Sequence, residues 1–230
     1  MNKIESQIPT SIGIIMDGNR RYARSKGLPT LEGHHSGYQK LREVLKWAKE
    51  AGVKEMIVYA FSTENWNRTA EEVSYLMGLF RESIHVLTKE AIRDDVRIIF
   101  LGDRTRLEAG LQKVMNDAER ETVKCSSFKF GIALSYGGRT EILDAIKRIP
   151  EDKRMKITEE EFSGLLWTKE LRDPDLIIRT SGEVRLSNFL PWQSVYSELV
   201  FTKTLWPEFS KEELLSILKN YSERERRLGK

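Results

Sequence analysis

Six short runs of branched apolar residues, separated by segments of helical periodicity, restrict what this chain can fold into. Several runs are nearly continuous rather than alternating in polarity, which is typical of strands covered on both faces. Strands that alternate with helices pair in parallel through crossover connections. The sequence therefore predicts a single α/β domain over residues 1–230, with a central six-stranded, mostly parallel sheet flanked by helices. We place the strands at residues 12–16, 56–61, 96–101, 128–134, 176–178 and 199–201.

Helix starts are indicated where a Ser or Thr stands three residues before a Glu. This capping pattern occurs at Thr69, Thr158 and Ser210. The first of these precedes a long apolar stripe at helical spacing between Val73 and Ala91. Such a stripe is typical of core packing, but the wall of a greasy tunnel for a lipid tail has the same pattern. Periodicity alone leaves both interpretations open.

Charge and cysteine content exclude several classes of function. The chain carries 38 basic and 35 acidic residues, a formal net charge of +3, which is too balanced for bulk binding of nucleic acid. Cys125 is the only cysteine, so neither an internal disulfide nor a cysteine metal cage can form. No stretch approaches the roughly 20 uncharged apolar residues of a membrane span, and the first residues lack a signal peptide's apolar core. We therefore expect a cytoplasmic protein.

Polar segments follow four of the predicted strands at the point where each strand ends. They comprise residues 17–21, 62–66, 136–139 and 179–182, and most of them contain glycine or arginine. In an open parallel sheet, ligands bind beyond the carboxyl ends of the strands. We therefore expect the chemistry at this edge of the sheet.

The segment after the first strand combines one acid with two arginines. Gly18 permits close approach of the backbone to a ligand, and Arg20 and Arg21 can form charge-assisted bonds to phosphate. An acidic side chain beside an anion site is electrostatically reasonable when a cation lies between them. Asp17 is therefore predicted to hold Mg²⁺ that bridges to a diphosphate, since Mg²⁺ uses one or two carboxylates together with substrate oxygens. The alternative is a simple Asp N-cap for the following helix.

A second anion cradle is predicted after the fifth strand, where Arg179, Arg185 and nearby hydroxyl groups surround a glycine turn. Trp66 and Arg68 lie in a polar loop, where Trp66 offers an apolar face and Arg68 a guanidinium that can bind phosphate. The alternative is that this loop is only a turn that leads to the next helix cap. His34 is placed to donate a hydrogen bond or a proton, or to be a packing residue. The sequence thus offers two anion-binding segments, one carboxylate and abundant apolar helix surface. Together they indicate two phosphorylated substrates, at least one of which is hydrophobic.

Longer motifs run in order over nearly the whole chain and resemble the cis-prenyltransferases, which include the undecaprenyl diphosphate synthases. The motifs are IIMDGNRRYA at 14–23, EGH at 32–34, AFSTENW at 60–66, DLIIRTSGE at 175–183, RLSNF at 185–189, YSEL at 196–199 and LWP at 205–207. The resemblance implies a parallel sheet with helices that form a hydrophobic tunnel, and usually a homodimer. It implies that isopentenyl diphosphate is added to an allylic diphosphate, of farnesyl or geranylgeranyl type, with each new double bond cis. The product would be a polycis-polyprenyl diphosphate, a lipid carrier precursor.

The resemblance also implies a role for each matching residue. Asp17 would hold Mg²⁺ and assist departure of diphosphate, and Glu198 would add a metal contact. The allylic diphosphate would be bound by Gly18, Asn19, Arg20, Arg21 and His34. Isopentenyl diphosphate would be bound by the segment of Arg185, Leu186 and Ser187 together with Arg179. The remaining substrate contacts would be Tyr22, Ser62, Thr63, Glu64, Trp66 and Arg68.

The position of Asn65 is the one to which the family assigns proton removal. A neutral amide lacks the basicity for that task. We therefore expect Asn65 to orient substrate or to relay a proton, with released diphosphate as an alternative acceptor. At the other end of the chain, Arg227 and Gly229 match a terminal Arg-x-Gly that reaches the active site of a neighbouring subunit.

The sequence departs from the family at one substrate contact and leaves other functions to consider. Thr30 stands where the family commonly carries an arginine that touches the allylic diphosphate, and Tyr22 and Glu32 resemble the archaeal and eukaryotic branch. A non-catalytic partner subunit of the same fold is disfavoured because Asp17 and Arg21 are both kept. A nucleotide- or RNA-binding module is disfavoured because neither a Gly-x-Gly-x-x-Gly fingerprint nor a Gly-Lys-Ser loop is present. Release of so greasy a product implies transient, peripheral contact with a membrane surface.

Overall fold

A computed structural model describes residues 8–224, and within them the predicted sheet is confirmed. Every pair of neighbouring strands is parallel, and the strand order is β3-β4-β2-β1-β5-β6. The strands are β1 (Ser11–Ile15), β2 (Glu55–Ser62), β3 (Val96–Leu101), β4 (Phe128–Tyr136), β5 (Leu176–Arg179) and β6 (Glu198–Phe201). Their ends differ from the predicted ones by at most two residues, because the apolar runs mark the buried part of each strand and the hydrogen bonds extend slightly beyond it.

Helices connect and cover the strands. They are α1 (Asn19–Ser25), α2 (Thr30–Glu50), α3 (Ala70–Arg93), α4 (Ala109–Glu121), α5 (Gly138–Lys147), α6 (Glu159–Ser163) and α7 (Lys211–Ser222). Short 3₁₀ segments cover Thr63–Asn67, Arg104–Arg106, Glu151–Lys153 and Trp206–Glu208. Among residues 8–224, no helix combines the length and the apolar character needed to cross a membrane.

All three predicted capping residues begin a helix. The hydroxyl of Thr69 accepts the Glu72 N–H at 3.3 Å, and that of Ser210 accepts the N–H three residues on at 3.1 Å. Only at Thr158 is the box reciprocal, since there the Glu161 carboxylate also accepts the Thr158 N–H at 3.1 Å. A helix start thus needs only the hydroxyl half of the motif.

Both faces of the sheet are buried, which explains the nearly continuous apolar runs. All five residues of β1 are buried, and their side chains alternate between two core clusters. Ile14 belongs to the larger cluster, which α2, α3, α4 and α7 cover, whereas Ile15 belongs to the smaller cluster on the other face. A parallel sheet between two covering layers requires this pattern.

The topology places one crevice at the carboxyl ends of β1 and β5. From β1 the chain builds the sheet in one direction through β2, β4 and β3, and it then returns to add β5 and β6 on the other side of β1. Ligands bind at such a switch point in open α/β sheets. Ile15 is in register with Arg179, so the residues that follow β1 face the end of β5.

Candidate active site

A cavity of about 520 Å³, here called the central cavity, lies at the carboxyl ends of β1, β2 and β5. Its polar lining consists of Asp17, Asn19, His34, Ser62, Glu64, Asn65, Arg68, Arg179, Ser187 and Asn188. All of these except Asn188 are site residues predicted from the sequence. The prediction that polar segments converge beyond the strand ends is therefore confirmed for this set.

Asp17 stands at the centre of the site and is held there through its main chain. Its carbonyl oxygen accepts a hydrogen bond from the Thr180 hydroxyl at 2.6 Å and another from the Trp206 N–H at 3.1 Å. Its side chain does not cap α1, because the N-cap is Gly18 and no side-chain cap bond is formed there. Gly18 has φ 113°, and an added Cβ would meet Leu205 at 3.0 Å. The alternative of a simple Asp N-cap is therefore wrong.

Arg179 joins the two predicted anion cradles. Its side chain is only 5% exposed. One terminal nitrogen donates to Asp17 Oδ2 at 2.9 Å, and the other donates to Ser187 Oγ at 2.8 Å. The Nε of Arg179 is buried and has no hydrogen-bond partner among residues 8–224. The buried guanidinium therefore keeps one unused hydrogen-bond donor in addition to its pairing with Asp17.

A second, basic pocket adjoins Asp17 on the side of α1. This arginine pocket has a volume of about 330 Å³, and its charged lining is Asp17, Arg20, Arg21, Arg24, His34 and Arg68. Arg21 is fixed by a hydrogen bond to the Ser181 carbonyl oxygen at 2.8 Å, and its guanidinium lies 3.6 Å from both Asp17 and Glu183. Four arginines around one acid make this pocket suited to a polyanion such as diphosphate.

His34 enters both pockets from α2 and is held by an acid from α3. Its Nε2 lies 3.2 Å from Glu72 Oε1, and the same oxygen accepts a hydrogen bond from Arg68 at 2.9 Å. Burial lowers the pKa of His34, and the nearby Arg68 and Arg20 add to this although Glu72 opposes it. Burial would raise the pKa of Glu72, but Arg68 and His34 keep it below its usual value. These pKa shifts make His34 a neutral imidazole and Glu72 an ionised carboxylate.

Asn19 lies where the cavities meet, against the small residues of α2. An added Cβ at Gly33 would overlap the Asn19 main chain, and one at Gly37 would overlap its carboxamide. The Gly37 carbonyl oxygen in turn accepts the indole N–H of the buried Trp206 at 2.8 Å. The Asn19 Oδ1 is buried without a hydrogen-bond partner among the described residues. Close packing of α1 on α2 therefore fixes an acceptor at the floor of the site.

The polar segment after β2 is a 3₁₀ turn closed by Asn65. Asn65 N–H donates to Ser62 Oγ at 3.2 Å, and Ser62 N–H donates to Asn65 Oδ1 at 3.0 Å. This reciprocal cap fixes the carboxamide of Asn65 at the cavity wall. Trp66 instead turns its indole N–H to Ser135 Oγ at 3.1 Å, and its ring packs against Phe61 with centres 5.0 Å apart.

An apolar channel leads from the site between α2, α3 and the sheet. It has a volume of about 90 Å³, and its apolar lining includes Leu41, Leu76, Leu79, Phe80, Ile84, Leu87, Phe100, Ile132 and Leu134. Met16, Asn19 and His34 line this channel, the central cavity and the arginine pocket alike. The stripe on α3 therefore packs the core, as one interpretation predicted, and part of it also lines this channel. That the channel takes a lipid tail stays a prediction.

A larger distal cavity of about 570 Å³ lies at the far ends of α2 and α3. Leu87 lines both this cavity and the apolar channel. The rim of the distal cavity is charged, and Arg42 of α2 forms an ion pair with Glu90 of α3 across it.

Glu198 is not brought to Asp17 within one chain. It is the first residue of β6 and therefore stands at the amino end of the sheet, in register with Leu176. Through Leu176, Glu198 is level with Ile12, which lies about 10 Å along the strand direction before the end of β1, and it is two strand spacings away across the sheet; Asp17 lies beyond that end. The Glu198 carboxylate pairs with Arg224 at 3.0 Å. One chain therefore does not bring Glu198 and Asp17 to a common metal ion.

Several other predicted contacts lie away from the central cavity. Arg185 is exposed and pairs with Glu183 at 2.5 Å, while its carbonyl oxygen accepts from Arg179. The predicted residues that line neither the central cavity nor the arginine pocket are Tyr22, Thr30, Thr63, Trp66, Arg185 and Leu186. Arg227 and Gly229 lie outside the described residues.

The structure adds four residues to the site that sequence patterns did not single out. Glu72 was interpreted only as the partner of a helix cap. Trp206 lies in a motif of the resemblance but reaches Gly37 and Asp17 only through the fold. Ser181 and Asn188 each follow a residue with a predicted role, and this adjacency was the only signal for them.

The donor set at Asp17 fits a hard divalent cation that is shared with substrate. Among residues 8–224, no three His, Cys, Asp or Glu side chains are grouped so that they could hold a metal ion. A cation bound by a single carboxylate must take most of its ligands from elsewhere, and phosphate oxygens and water are ligands that such cations accept. The 31% exposed carboxylate of Asp17 beside the arginine pocket meets this requirement.

Comparison with known proteins agrees with this site. The family model described as "Putative undecaprenyl diphosphate synthase" matches residues 15–229. An isoprenyl transferase of Thermotoga maritima is 46% identical over 227 residues, which cover 97% of each chain. A tritrans,polycis-undecaprenyl-diphosphate synthase (geranylgeranyl-diphosphate specific) of Picrophilus torridus is 46% identical over 96% of this chain and 90% of its own.

A solved structure shares the fold over nearly its full length. Lavandulyl diphosphate synthase from Lavandula x intermedia, crystallised with dimethylallyl diphosphate, superposes with a TM-score of 0.92 at 33% identity and covers 97% of this chain and 99% of its own. The similar proteins are prenyl transferases and prenyl diphosphate synthases, and this chain is likewise a transferase of prenyl groups. It belongs to the undecaprenyl diphosphate synthase family of prenyltransferases.

Proposed function

We propose that this chain is a Mg²⁺-dependent cis-prenyltransferase that adds isopentenyl diphosphate units to an allylic diphosphate and makes a polycis-polyprenyl diphosphate. One observation carries the proposal. The Asp17 carboxylate lies between the arginine pocket and Arg179, and its chain neighbour Met16 lines the arginine pocket, the central cavity and the apolar channel. Two diphosphates and one hydrocarbon tail match these three compartments in charge and polarity.

The arginine pocket would bind the allylic diphosphate. Arg20, Arg21 and Arg68 would pair with its oxygens. His34 directs its Nε2–H to Glu72, so it would donate to the diphosphate from Nδ1 once the bound anion raises its pKa and the ring is protonated. Asp17 would hold Mg²⁺ together with diphosphate oxygens, and the bound ion would neutralise charge that develops as the diphosphate leaves. The allylic tail would extend past Met16 into the apolar channel, which excludes water from the reacting carbon.

Isopentenyl diphosphate would bind on the opposite wall. Arg179 is held rigid by Ser187 and by the Arg185 carbonyl oxygen, so little freedom is lost when it pairs with a phosphate. Arg185 is exposed and paired only with Glu183 at the surface, from which a stronger anion would displace it. The double bond of this substrate would then face the allylic carbon across Asp17.

Asn65 would orient the incoming substrate rather than act as a base. Its Oδ1 is engaged by Ser62 N–H, and an amide has no proton affinity suited to general-base catalysis. The proton lost when the new double bond forms would pass to an oxygen of the released diphosphate, which lies within the same cavity. Asn65→Asp should therefore fail to restore the rate that Asn65→Ala loses.

A homodimer would complete the site. β6 is an edge strand, and apolar side chains are exposed near it and on α5 at Leu143, Ile146, Val195, Tyr196 and Leu199. Exposed apolar groups concentrated in this way mark interfaces. A second chain would bring its Glu198 and its terminal Arg227 and Gly229 towards Asp17. Within residues 8–224, one chain alone does not bring Glu198 there. A peripheral contact with membrane would serve release of the product.

The role of Asp17 is tested by Asp17→Asn, which keeps the shape of the side chain and removes its charge. Turnover of labelled isopentenyl diphosphate with farnesyl or geranylgeranyl diphosphate and Mg²⁺ should fall by about 10²-fold or more, the cost of losing one electrostatic stabiliser. The matched control is Asp152→Asn, on an exposed 3₁₀ segment, which should leave turnover unchanged. Normal turnover in Asp17→Asn, or in the native enzyme after removal of divalent ions, would contradict the proposal.

A further inference from the structure

Asn188 makes hydrogen bonds to two separate elements and lines the central cavity. Its Nδ2 donates to Glu64 Oε1 at 3.0 Å. Its Oδ1 accepts the Arg139 N–H at 2.9 Å, and its main-chain oxygen accepts the Gly138 N–H at 2.9 Å. One residue thus connects the start of α5 with the turn that follows β2. The side chain of Asn188 therefore links the Glu64 side of the central cavity to the start of α5.

The backbone around Asn188 is shaped for this contact. Asn188 has φ 67° and the preceding Ser187 has φ 50°, a left-handed conformation that asparagine adopts more readily than most residues. An added Cβ at Gly137 would meet Asn188 Nδ2 at 2.9 Å. Because Gly137 approaches so closely, the Asn188 carboxamide has one position available, in which its nitrogen is directed at Glu64.

The acceptor of this contact is itself an ionised group of the cavity. Burial would raise the pKa of Glu64, but hydrogen bonds from its own N–H, from Asn188 and from the Ser62 and Thr63 hydroxyls lower it overall. A carboxylate at this wall repels a diphosphate less when its charge is engaged by a donor and its position is fixed. The Asn188 amide supplies that donor, and Arg179 donates to Ser187, the residue next to Asn188 in the chain.

We propose that Asn188 is a positioning residue that fixes Glu64 relative to Ser187 and Arg179 and so sets the geometry of the wall that receives isopentenyl diphosphate. This inference rests on the proposed function of that wall. The arginine pocket, which takes the allylic diphosphate, lies across the cavity and makes no contact with Asn188. Asn188 should therefore affect one substrate and spare the other.

Asn188→Asp separates the positioning role from a purely structural one. The aspartate keeps the acceptor for the Arg139 N–H at the start of α5, loses the donor to Glu64 and places a like charge against it. The KM for isopentenyl diphosphate should rise about tenfold or more, the cost of replacing a charge-assisted hydrogen bond by repulsion. The KM for the allylic diphosphate and the melting temperature should stay close to the native values.

A second variant reverses the hydrogen bond and makes the test decisive. The change Glu64→Gln supplies a donor that can bond to the carboxylate introduced by Asn188→Asp. In the Glu64→Gln background, Asn188→Asp should therefore raise the KM for isopentenyl diphosphate by no more than about twofold. An equal increase in both backgrounds, a parallel increase for the allylic diphosphate, or an unchanged KM in Asn188→Asp would overturn the inference. Failure of the proposed function would appear differently, as absence of turnover in the unmodified enzyme.

Discussion

A single carboxylate on α3 organises the basic side of the active site. Glu72 accepts from Arg68 and contacts His34, so it holds an arginine and an imidazole side by side. Burial, with the nearby Arg68 and Arg20, lowers the pKa of His34 against the opposing effect of Glu72, so the imidazole is neutral before a polyanion binds. When diphosphate binds, its negative charge would raise the pKa of His34 and strengthen the contact.

The pH dependence of stability tests the state of His34. Its folded pKa lies below the ordinary value of 6.5 because burial and neighbouring arginines disfavour the charged form. The unfolded chain then binds the extra proton more readily, so stability is fully present above pH 6.5 and is lost as pH falls below it. Urea unfolding between pH 6.5 and pH 5 should show a smaller loss in His34→Gln than in the native protein. Equal losses in both proteins would mean that His34 is not held neutral.

Two glycines in the middle of long helices illustrate how packing at the scale of elements decides the effect of a substitution. Gly37 on α2 has the Asn19 carboxamide directly over it, whereas a Cβ at Gly78 on α3 would meet no atom of the described residues within 4 Å. Glycine inside a helix costs about 0.5–1 kcal/mol relative to alanine. At position 37 the close approach of Asn19 explains why the helix contains glycine despite this cost.

Opposite outcomes are expected for the two alanine variants. Gly37→Ala should lower the free energy of unfolding by about 1–3 kcal/mol through overpacking, and it should raise the KM for the allylic diphosphate because Asn19 is displaced. Gly78→Ala should raise the free energy of unfolding by up to about 1 kcal/mol. Thermal or urea denaturation measures both. If Gly37→Ala were as stable as Gly78→Ala, the packing of α1 on α2 would not be as described.

The elements were predictable where local signals suffice. Buried strands carry continuous apolar runs, so they could be located from the sequence to within two residues. The starts of α3, α6 and α7 carry a capping hydroxyl and could be located in the same way. The polar segments at the strand ends likewise follow from chain order and sheet topology. Contacts such as the one between Trp206 and Gly37 could not be predicted, because they join residues far apart in sequence whose spacing encodes nothing about the distance between them. The contacts of Glu72 with His34 and Arg68 were not predicted, because the capping motif already accounted for a glutamate at this position.

At the scale of the whole molecule, the sheet has an edge at β6 that residues 8–224 leave partly exposed. Tyr196 is 80% exposed just before the edge strand β6, and Leu199 within that strand is 42% exposed. Exposed edges are usually shortened, charged or covered by another chain. Two copies of this chain could cover each other's edge, and they would then share the catalytic groups that lie at opposite ends of the sheet.

Disruption of this surface should separate the subunits. Tyr196→Glu places a charge in the proposed interface and should convert a dimer to a monomer in size-exclusion chromatography with light scattering. Turnover should fall with the loss of the dimer. Met155→Glu changes a side chain that is 95% exposed elsewhere and should leave both properties unchanged. A native protein that is already monomeric, or an unaltered dimer in Tyr196→Glu, would disprove the assignment of this surface.

Leu87 stands between two spaces of very different character, one continuous with the reacting groups and the other open towards the charged rim of α2 and α3. Under the proposed function, the capacity for hydrocarbon would be limited by a side chain that takes no part in bond making. The length of the product and the speed of its synthesis would then change independently. Divergence at this one position would give enzymes with the same chemistry and different lipids.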